Sequence, residues 1–239
     1  MTSLSRLPLF PGHIPTTTLQ KLLLGAGSAV TALFDPSRGD MVAACGEIST
    51  WLVPAILPNI RDRMAKHPIG ARILAEKPEV TETSIGREYL ASLDQNTFGY
   101  AYLKFLQKIN TSPDARPPVQ FVDDPDLAYI MRRYRQTHDF YHVVLSMPTT
   151  MIGEVTVKWW EGIQLGLPMA VAGGLFGAVR LKPKHRSLYV NSYLPWVLAA
   201  APRAEFFMNV FWEEQWDKTL ISLRRQLRIT PEPPSVIVP

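Results

Sequence analysis

Apolar residues recur three and four positions apart along most of this chain, whereas stretches that alternate apolar and polar residues are scarce. The first spacing is typical of one face of an α-helix, and the second would indicate a half-buried β-strand. The sequence therefore predicts an all-α fold. Candidate helices run roughly over Thr16 to Phe34, Arg38 to Trp51, Asn59 to Lys66, Pro68 to Glu76, Tyr100 to Ile109, Pro125 to Leu145, Pro148 to Leu165, Leu188 to Ala200 and Asn209 to Arg228.

The size and composition of the chain suit a single domain. Of its 239 residues, 46% are hydrophobic and only 19% are charged, which is enough apolar area for one sizeable core and unlike the composition of a disordered chain. We predict one helical domain over residues 1–229. Residues 230–239 contain four prolines, which forbid a helix and contribute little to a core, so we predict a flexible Pro-rich tail there.

The net charge is +4 and the isoelectric point is about 9.2, values that fit nucleic acid, an anionic membrane surface or the mitochondrial matrix. Lysines and arginines are scattered among acidic residues and no nucleic-acid motif is present, so we predict no nucleic-acid partner. Cys45 is the single cysteine, which excludes an intrachain disulfide and indicates a reducing compartment. Prolines interrupt the first residues before a secretory signal could form, while removal of a mitochondrial presequence stays an open alternative.

The segment THDFYH carries the strongest chemical signal. His138 and His142 lie one helical turn apart with Asp139 between them in sequence, and the three side chains span an arc of roughly 100° on the helix surface. Glu154 follows beyond a break at Pro148, so a second helix folded back on the first could bring its carboxylate to the same ion. These residues predict a metal site between two consecutive helices.

The ligand types favour zinc and leave ferrous iron and manganese as alternatives, because two imidazoles and two carboxylates suit all three ions. The competing interpretation is that the two histidines are hydrogen-bonded core residues. Burying three polar side chains without a partner would cost several kcal/mol, which favours a shared cation. A His-Asp hydrolase is a further alternative, and it would need histidines on other helices. The remaining ones are poorly placed: His13, His67 and His185.

The run from Gly162 to Val179 carries no formal charge. Its glycines and Pro168 favour a buried helix and turn over a lipid-contacting segment, with a membrane-spanning helix as the third alternative. In VKWWEG, a pocket could be lined by Trp159, Trp160, Glu161 and Lys158, and the alternative is that the Trp pair belongs to the core and its rim. A basic cluster follows between Arg180 and Arg186 and resembles a membrane-edge arrangement.

Three segments resemble the coenzyme Q biosynthesis protein 4 family of mitochondrial ubiquinone synthesis: LFPGHIPTTTLQKLLLGAGSA, FVDDPDLAYIMRRYRQTHDFYH and MPTTMIGEVTVKWWEGIQLGLPM. The family signature is His-Asp, two residues, His, eleven residues and Glu, and it falls on His138, Asp139, His142 and Glu154. The resemblance thus implies that these four residues are the metal ligands. One departure lies close to the signature, since Ser146 stands where the family pattern predicts glycine.

The resemblance implies an all-helical protein held peripherally on the matrix side of the inner mitochondrial membrane. Its implied partners are the other proteins of the ubiquinone biosynthesis complex, including a lipid-binding subunit, and it could form a homo-oligomer. The implied reaction is removal of the C1 carboxylate from 4-hydroxy-3-methoxy-5-polyprenylbenzoate, giving 2-methoxy-6-polyprenylphenol, by an oxidative or a non-oxidative route. The polyprenyl tail of this substrate needs an apolar groove, and the small residues between Gly162 and Val179 leave room for a chain, so we predict that this run forms the wall or entrance of the groove. A lipid-binding scaffold without its own catalysis is the alternative that the resemblance leaves open.

Overall fold

The structure is a computed structural model that describes residues 7–35 and 38–234. This part of the chain is built from helices and contains no β-sheet, so the all-α prediction is confirmed. The α-helices are α1 (Thr18–Phe34), α2 (Gly39–Leu52), α3 (Ile56–Ala65), α4 (Pro68–Glu76), α5 (Glu82–Ile85), α6 (Arg87–Ser92), α7 (Phe98–Ile109), α8 (Pro125–Val144), α9 (Met151–Leu165), α10 (Pro168–Val179), α11 (Pro183–Leu188), α12 (Leu194–Ala200) and α13 (Leu220–Gln226). Short 3₁₀ turns cover Pro113–Ala115, Phe207–Asn209 and Trp212–Glu214, and a π-helical segment covers Tyr189–Tyr193.

The central helix α8 begins where its capping residues predict. Asp124 Oδ1 accepts hydrogen bonds from the backbone N–H groups of Asp126 and Leu127 at 2.8 and 3.1 Å, and Pro125 occupies the first turn, where a donor is not needed. Most side chains from Ala128 onward are buried. The helix therefore runs through the interior and carries the metal motif with it.

A left-handed turn ends α8. Ser146 has a φ of +52°, and the N–H of Met147 donates to the carbonyl oxygen of His142 at 2.8 Å. Glycine adopts this φ without strain, which explains why the family pattern places it at the position of Ser146. Arg224 of α13 holds the turn, because its Nε donates to Val144 O at 2.7 Å and its Nη2 donates to Ser146 Oγ at 2.5 Å.

The uncharged run forms the end of α9, a turn at Gly166 and α10, as predicted. α10 packs closely on α9, since a Cβ atom at Gly177 would lie 2.7 Å from Val155 Cγ2. The predicted burial is only partly observed, because α10 buries Ala170 and Gly174 but exposes apolar side chains near its end. α10 also contacts α2, and α2 packs along α1. These four helices surround a space beside α8.

Two apolar clusters share α8 and join the chain into one domain. The first is rich in aromatic rings: Phe98 stacks on Trp216 with ring centroids 5.3 Å apart, and Phe140 of α8 lies 5.5 Å from Trp212. The second packs α3 and α4 against the N-terminal half of α8. Buried aromatic pairs contribute about 0.5–1.5 kcal/mol each beyond their apolar area. The two clusters fix α8, and with it the histidines, from both ends.

The helix predicted from Asn209 to Arg228 is wrong over its first half. The chain there forms 3₁₀ turns, and only Leu220–Gln226 is α-helical. The predicted tail begins against the core, since Trp196 Nε1 donates to the carbonyl oxygen of Pro231 at 2.9 Å. Residues 235–239 of that tail lie outside the described residues.

Among the described residues, no helix is by itself both long and apolar enough to cross a bilayer. α2 and α3 satisfy length and composition only as a pair, and the chain bends by 87° where they meet. α1 and α10 are apolar but shorter.

Candidate metal centre

The structure brings three of the four predicted ligands together. His138 and His142 project from the same face of α8, and Glu154 reaches them from the first turn of α9. One ligand atom from each lies within 4.8 Å of the others. The two Nε2 atoms are 3.2 Å apart, and Glu154 oxygens lie 3.4 Å from His142 Nε2 and 3.8 Å from His138 Nε2. The turn at residues 145–150 allows this arrangement, because it folds α9 back on α8.

The hydrogen bonds behind the two imidazoles fix which nitrogens face the centre. His142 Nδ1 lies 3.0 Å from the carbonyl oxygen of Met147, which can only accept, so Nδ1 carries the proton. His138 Nδ1 lies 2.5 Å from Glu161 Oε1, a buried carboxylate that likewise accepts. When neutral, both rings therefore present Nε2 lone pairs to each other and to Glu154. Only a cation satisfies two such lone pairs and a carboxylate at once, so the donor set fits a divalent metal.

The pKa directions differ between the two histidines. Burial lowers the pKa of His138, which keeps that ring neutral. For His142, burial also acts to lower the pKa, but the hydrogen bond and charge of Glu154 outweigh it and the pKa is raised. Burial would raise the pKa of Glu154, but the contacts with the two histidines lower it to about 2. A proton on His142 and a metal ion are therefore alternative ways to satisfy the cluster, and metal binding would release that proton.

Asp139 lies outside the group of three. It is buried, and its Oδ1 accepts a hydrogen bond from Arg116 Nη2 in the loop before α8. Both side chains line the same cavity as His138 and Glu154. The role of Asp139 as a fourth ligand stays a prediction.

A buried polar network supports the centre from behind. Glu161 is fully buried on α9: one carboxylate oxygen contacts His138, and the other accepts from Lys158 Nζ at 2.7 Å and from Tyr134 OH at 2.8 Å. Burial would raise the pKa of Glu161, but the charge of Lys158 and the hydrogen bond from His138 hold it well below its ordinary value. A carboxylate behind a metal-binding histidine orients the ring and increases its basicity. The sequence signal for this network is the spacing of Glu154, Lys158 and Glu161, four and then three residues apart on one helix face.

A cavity of about 980 Å³ lies over the centre, between α1, α2, α8, α9 and α10. Its polar part carries His138, Glu154 and Lys158. Its exposed side is apolar and includes Leu33 of α1 and Phe176 of α10, which are 49% and 61% exposed. The cavity thus joins a polar, metal-binding end to an apolar opening.

Fold and site together define a class of protein: an all-helical chain with a candidate metal centre of histidines and a carboxylate beside an apolar cavity. The family model described as "Coenzyme Q (ubiquinone) biosynthesis protein Coq4" matches residues 10–233. The chain therefore belongs to the Coq4 family of ubiquinone biosynthesis proteins, and the resemblance found in the sequence is confirmed.

Relatives agree with this assignment over most of their length. The chain is 49% identical over 223 residues to the mitochondrial ubiquinone biosynthesis protein coq-4 of Caenorhabditis elegans, covering 93% of this chain and 96% of the relative. It is 45% identical over 225 residues to the mitochondrial COQ4 homolog of Rattus norvegicus, covering 94% and 84%. A crystal structure from Nostoc punctiforme, of a protein named for a proposed role in ubiquinone biosynthesis, shares the fold with a TM-score of 0.69 at 20% identity, over 90% of this chain and all of that one.

Proposed function

We propose that the protein catalyses the metal-dependent C1-decarboxylation of 4-hydroxy-3-methoxy-5-polyprenylbenzoate to 2-methoxy-6-polyprenylphenol, a carboxy-lyase step of mitochondrial ubiquinone biosynthesis. One observation carries the proposal: the three converging ligands lie beside an apolar cavity of about 980 Å³, and two of them, His138 and Glu154, line it. The proposed substrate carries a carboxylate on its ring and a long apolar prenyl tail, which match the polar and the apolar parts of the cavity.

The side chains of the centre have separate tasks in this reaction. His138, His142 and Glu154, joined by Asp139, would hold zinc, with ferrous iron or manganese as alternatives. The bound ion would supply stabilisation of negative charge that develops on the substrate. The hydroxyl para to the carboxylate donates electron density toward C1, where a proton adds as the bond to the carboxyl carbon breaks and carbon dioxide leaves. Glu161 keeps the His138 ring in its ligand tautomer throughout.

The apolar side of the cavity would accept the prenyl tail. α10 contributes Gly173 and Phe176 to this lining, which supports the prediction that the uncharged run forms the wall of a groove. Gly174 has a different place, since a Cβ atom there would lie 3.1 Å from the Trp159 ring. Of the two glycines, it is Gly173 that borders the space for a tail.

Carbon dioxide release from a short-tailed prenyl hydroxymethoxybenzoate tests the reaction. We expect purified protein loaded with zinc, ferrous iron or manganese to release carbon dioxide with at least one ion, and we expect Glu154→Gln to abolish release while the protein still folds and binds its partners. Parallel assays with and without dioxygen distinguish the oxidative route from the non-oxidative one. A stoichiometric metal content with no turnover in either atmosphere would instead support a lipid-binding scaffold.

The scaffold is the second candidate function, because the outer face of α1 exposes an unusual amount of apolar surface. Its exposed side chains include Leu19, Leu22, Leu23, Val30, Leu33 and Phe34. In either function we propose that the partners are other proteins of the ubiquinone biosynthesis complex, including a lipid-binding subunit, with a second copy of the chain as a further possible partner. Glu154→Gln discriminates the two functions. In an enzyme it abolishes turnover, whereas in a scaffold without turnover it either has no effect or dissociates the complex.

We further propose that the protein attaches peripherally to the matrix side of the inner mitochondrial membrane through the cavity opening. Phe176 and Val179 of α10 are 61% and 70% exposed beside the end of α1, and Arg180 Nη1 donates to Leu33 O at 3.0 Å across this junction. The basic residues of the following segment, up to Arg186, would face anionic headgroups. A tail could then pass from the bilayer into the cavity without crossing water.

Binding to lipid vesicles tests this attachment. We expect the double variant Leu33→Glu and Phe176→Glu to bind phosphatidylcholine vesicles containing phosphatidylglycerol at least about tenfold more weakly than the parent, because burial of one large apolar side chain contributes about 1.5–3 kcal/mol. The matched control is Ile221→Glu on α13, which is 55% exposed away from the opening and should bind as the parent does. Equal loss in the control and the double variant would contradict the assignment of this face.

A further inference from the structure

Lys158 lines the cavity, and one N–H bond of its ammonium group has no acceptor among the described residues. Its Nζ donates to Glu161 Oε2 at 2.7 Å and to Tyr134 OH at 3.2 Å, which occupies two of its three N–H bonds. Among the described residues no other acceptor lies within hydrogen-bonding distance of this group. Lys158 lines the cavity beside His138 and Glu154, and its side chain is 19% exposed. The third N–H is therefore available to a molecule in the cavity.

The packing around Lys158 fixes the direction of this donor. On one side, a Cβ atom at Gly173 would lie 3.2 Å from Lys158 Cγ, so α10 approaches closely enough to confine the side-chain stem. On the other side, the ammonium group is paired with the fully buried carboxylate of Glu161, which keeps it from turning into solvent. A long side chain held at both its stem and its head loses little further entropy when it binds an anion.

The formal charges around the cavity sum to a value that one bound anion would balance. Lys158 and Glu161 neutralise each other, as do Arg116 and Asp139. Arg135 is paired with Glu47 in the same way, and Arg180 is exposed to solvent at the opening. Glu154 contributes one negative charge, and a divalent cation at the centre would contribute two positive charges. The loaded centre therefore carries one positive charge in excess, which a single carboxylate would balance.

Lys158 acts as a fixed cation rather than a source of protons. Burial would lower its pKa, but the charge of Glu161 and the oxygen of Tyr134 outweigh burial and raise the pKa well above its ordinary value. An ammonium with a raised pKa retains its proton, which makes it a poor general acid and a good anion-binding group.

We propose that Lys158 binds the carboxylate of the benzoate substrate through its third N–H, held in position by Glu161 and Tyr134. This assignment rests on the proposed function for the identity of the ligand. It makes Lys158 the group that separates the benzoate from the phenol formed after carbon dioxide leaves. The substrate is retained by its charge, and the neutral product loses that contact as soon as the bond has broken.

Paired binding measurements test the assignment without relying on turnover. The two probes are a short-tailed prenyl hydroxymethoxybenzoate and the matching methoxyphenol without the carboxylate, titrated calorimetrically into zinc-loaded protein. We expect Lys158→Met to weaken benzoate binding at least tenfold, to change phenol binding less than twofold and to leave the zinc content unchanged. Lys158→Arg, which keeps the charge, should recover part of the benzoate affinity.

The other outcomes are distinct. Equal weakening of both probes, no weakening of either, or loss of zinc would overturn the assignment, because Lys158 would then act only through the structure of the centre. If Lys158→Met does not fold because Glu161 is left unpaired, Lys158→Gln removes the charge, keeps an N–H donor for Glu161 and supplies the same comparison. Carboxylate-dependent binding by Lys158 without any carbon dioxide release would refute the proposed reaction and leave this assignment intact.

Discussion

Alanine in place of His142 is expected to yield a folded protein that purifies without its metal and releases carbon dioxide at least about a hundredfold more slowly. Loss of a residue behind a metal ligand already costs about 10–100-fold in affinity or activity, so loss of a ligand itself should exceed that range. The ring is 1% exposed, and its Nε2 lies 3.2 Å from His138 Nε2. Elemental analysis of the purified variant, on the same samples used for turnover, gives both results.

His67→Ala is the matched control for that experiment. This imidazole lies at the start of α4, where its Nδ1 accepts from the backbone N–H of Gly70 at 3.4 Å, and it has no part in the centre. The control should keep a full complement of metal. Full metal in the His142 variant as well would show that the ion binds elsewhere, and the centre described here would then be a hydrogen-bonded core.

Removal of Glu213 is expected to cause the largest loss of stability, about 3–5 kcal/mol in the free energy of unfolding. Its carboxylate holds the guanidinium of Arg133 in a bidentate contact, with distances of 2.5 and 2.9 Å. Arg133 is 1% exposed in the middle of α8, and its other acceptor is the carbonyl oxygen of Val210 at 3.4 Å. Glu213→Ala therefore leaves a buried charge with one weak partner, and urea unfolding measures the cost.

Two comparisons decide whether burial of Arg133 causes the loss of stability in Glu213→Ala. Asp40→Ala breaks the ion pair with Arg38, in which both side chains are about half exposed, and should lower stability far less than Glu213→Ala does because solvent screens the pair. Arg133→Met combined with Glu213→Leu removes both buried charges and should recover much of the stability lost in Glu213→Ala. A cost for Glu213→Ala no larger than that for Asp40→Ala would mean that water reaches Arg133 freely.

The parts of the fold that the sequence predicted well depend on local chemistry. The helix predicted over Pro125 to Leu145 is observed as Pro125–Val144, because its cap and its first-turn proline act within a few residues. The helix predicted from Asn209 to Arg228 was wrong because Trp212 and Trp216 have helical spacing for another reason. Both rings pack against the distant residue Phe98, so tertiary contacts and not a helix face set their positions.

In the site too, the sequence predicted what depends on local spacing and missed what depends on tertiary contacts. The spacing on one helix was enough to bring His138 and His142 together, and the break after α8 was enough to place Glu154 with them. The contact between His138 and Glu161 depends on how α8 and α9 cross, which no local pattern encodes. The pairing of Asp139 with Arg116 depends on the path of a loop 23 residues earlier in the chain.

The left-handed turn after α8 also determines when, during folding, the candidate metal centre becomes complete. The same turn that reverses the chain at Ser146 supplies the Met147 carbonyl oxygen that fixes the proton on His142 Nδ1. Before the turn closes, this imidazole has neither a defined tautomer nor a fixed direction. An ion that needs this tautomer would therefore find the complete site only after the chain has reversed. Arg224, which clamps the turn through Val144, would then contribute to metal binding without approaching the ion.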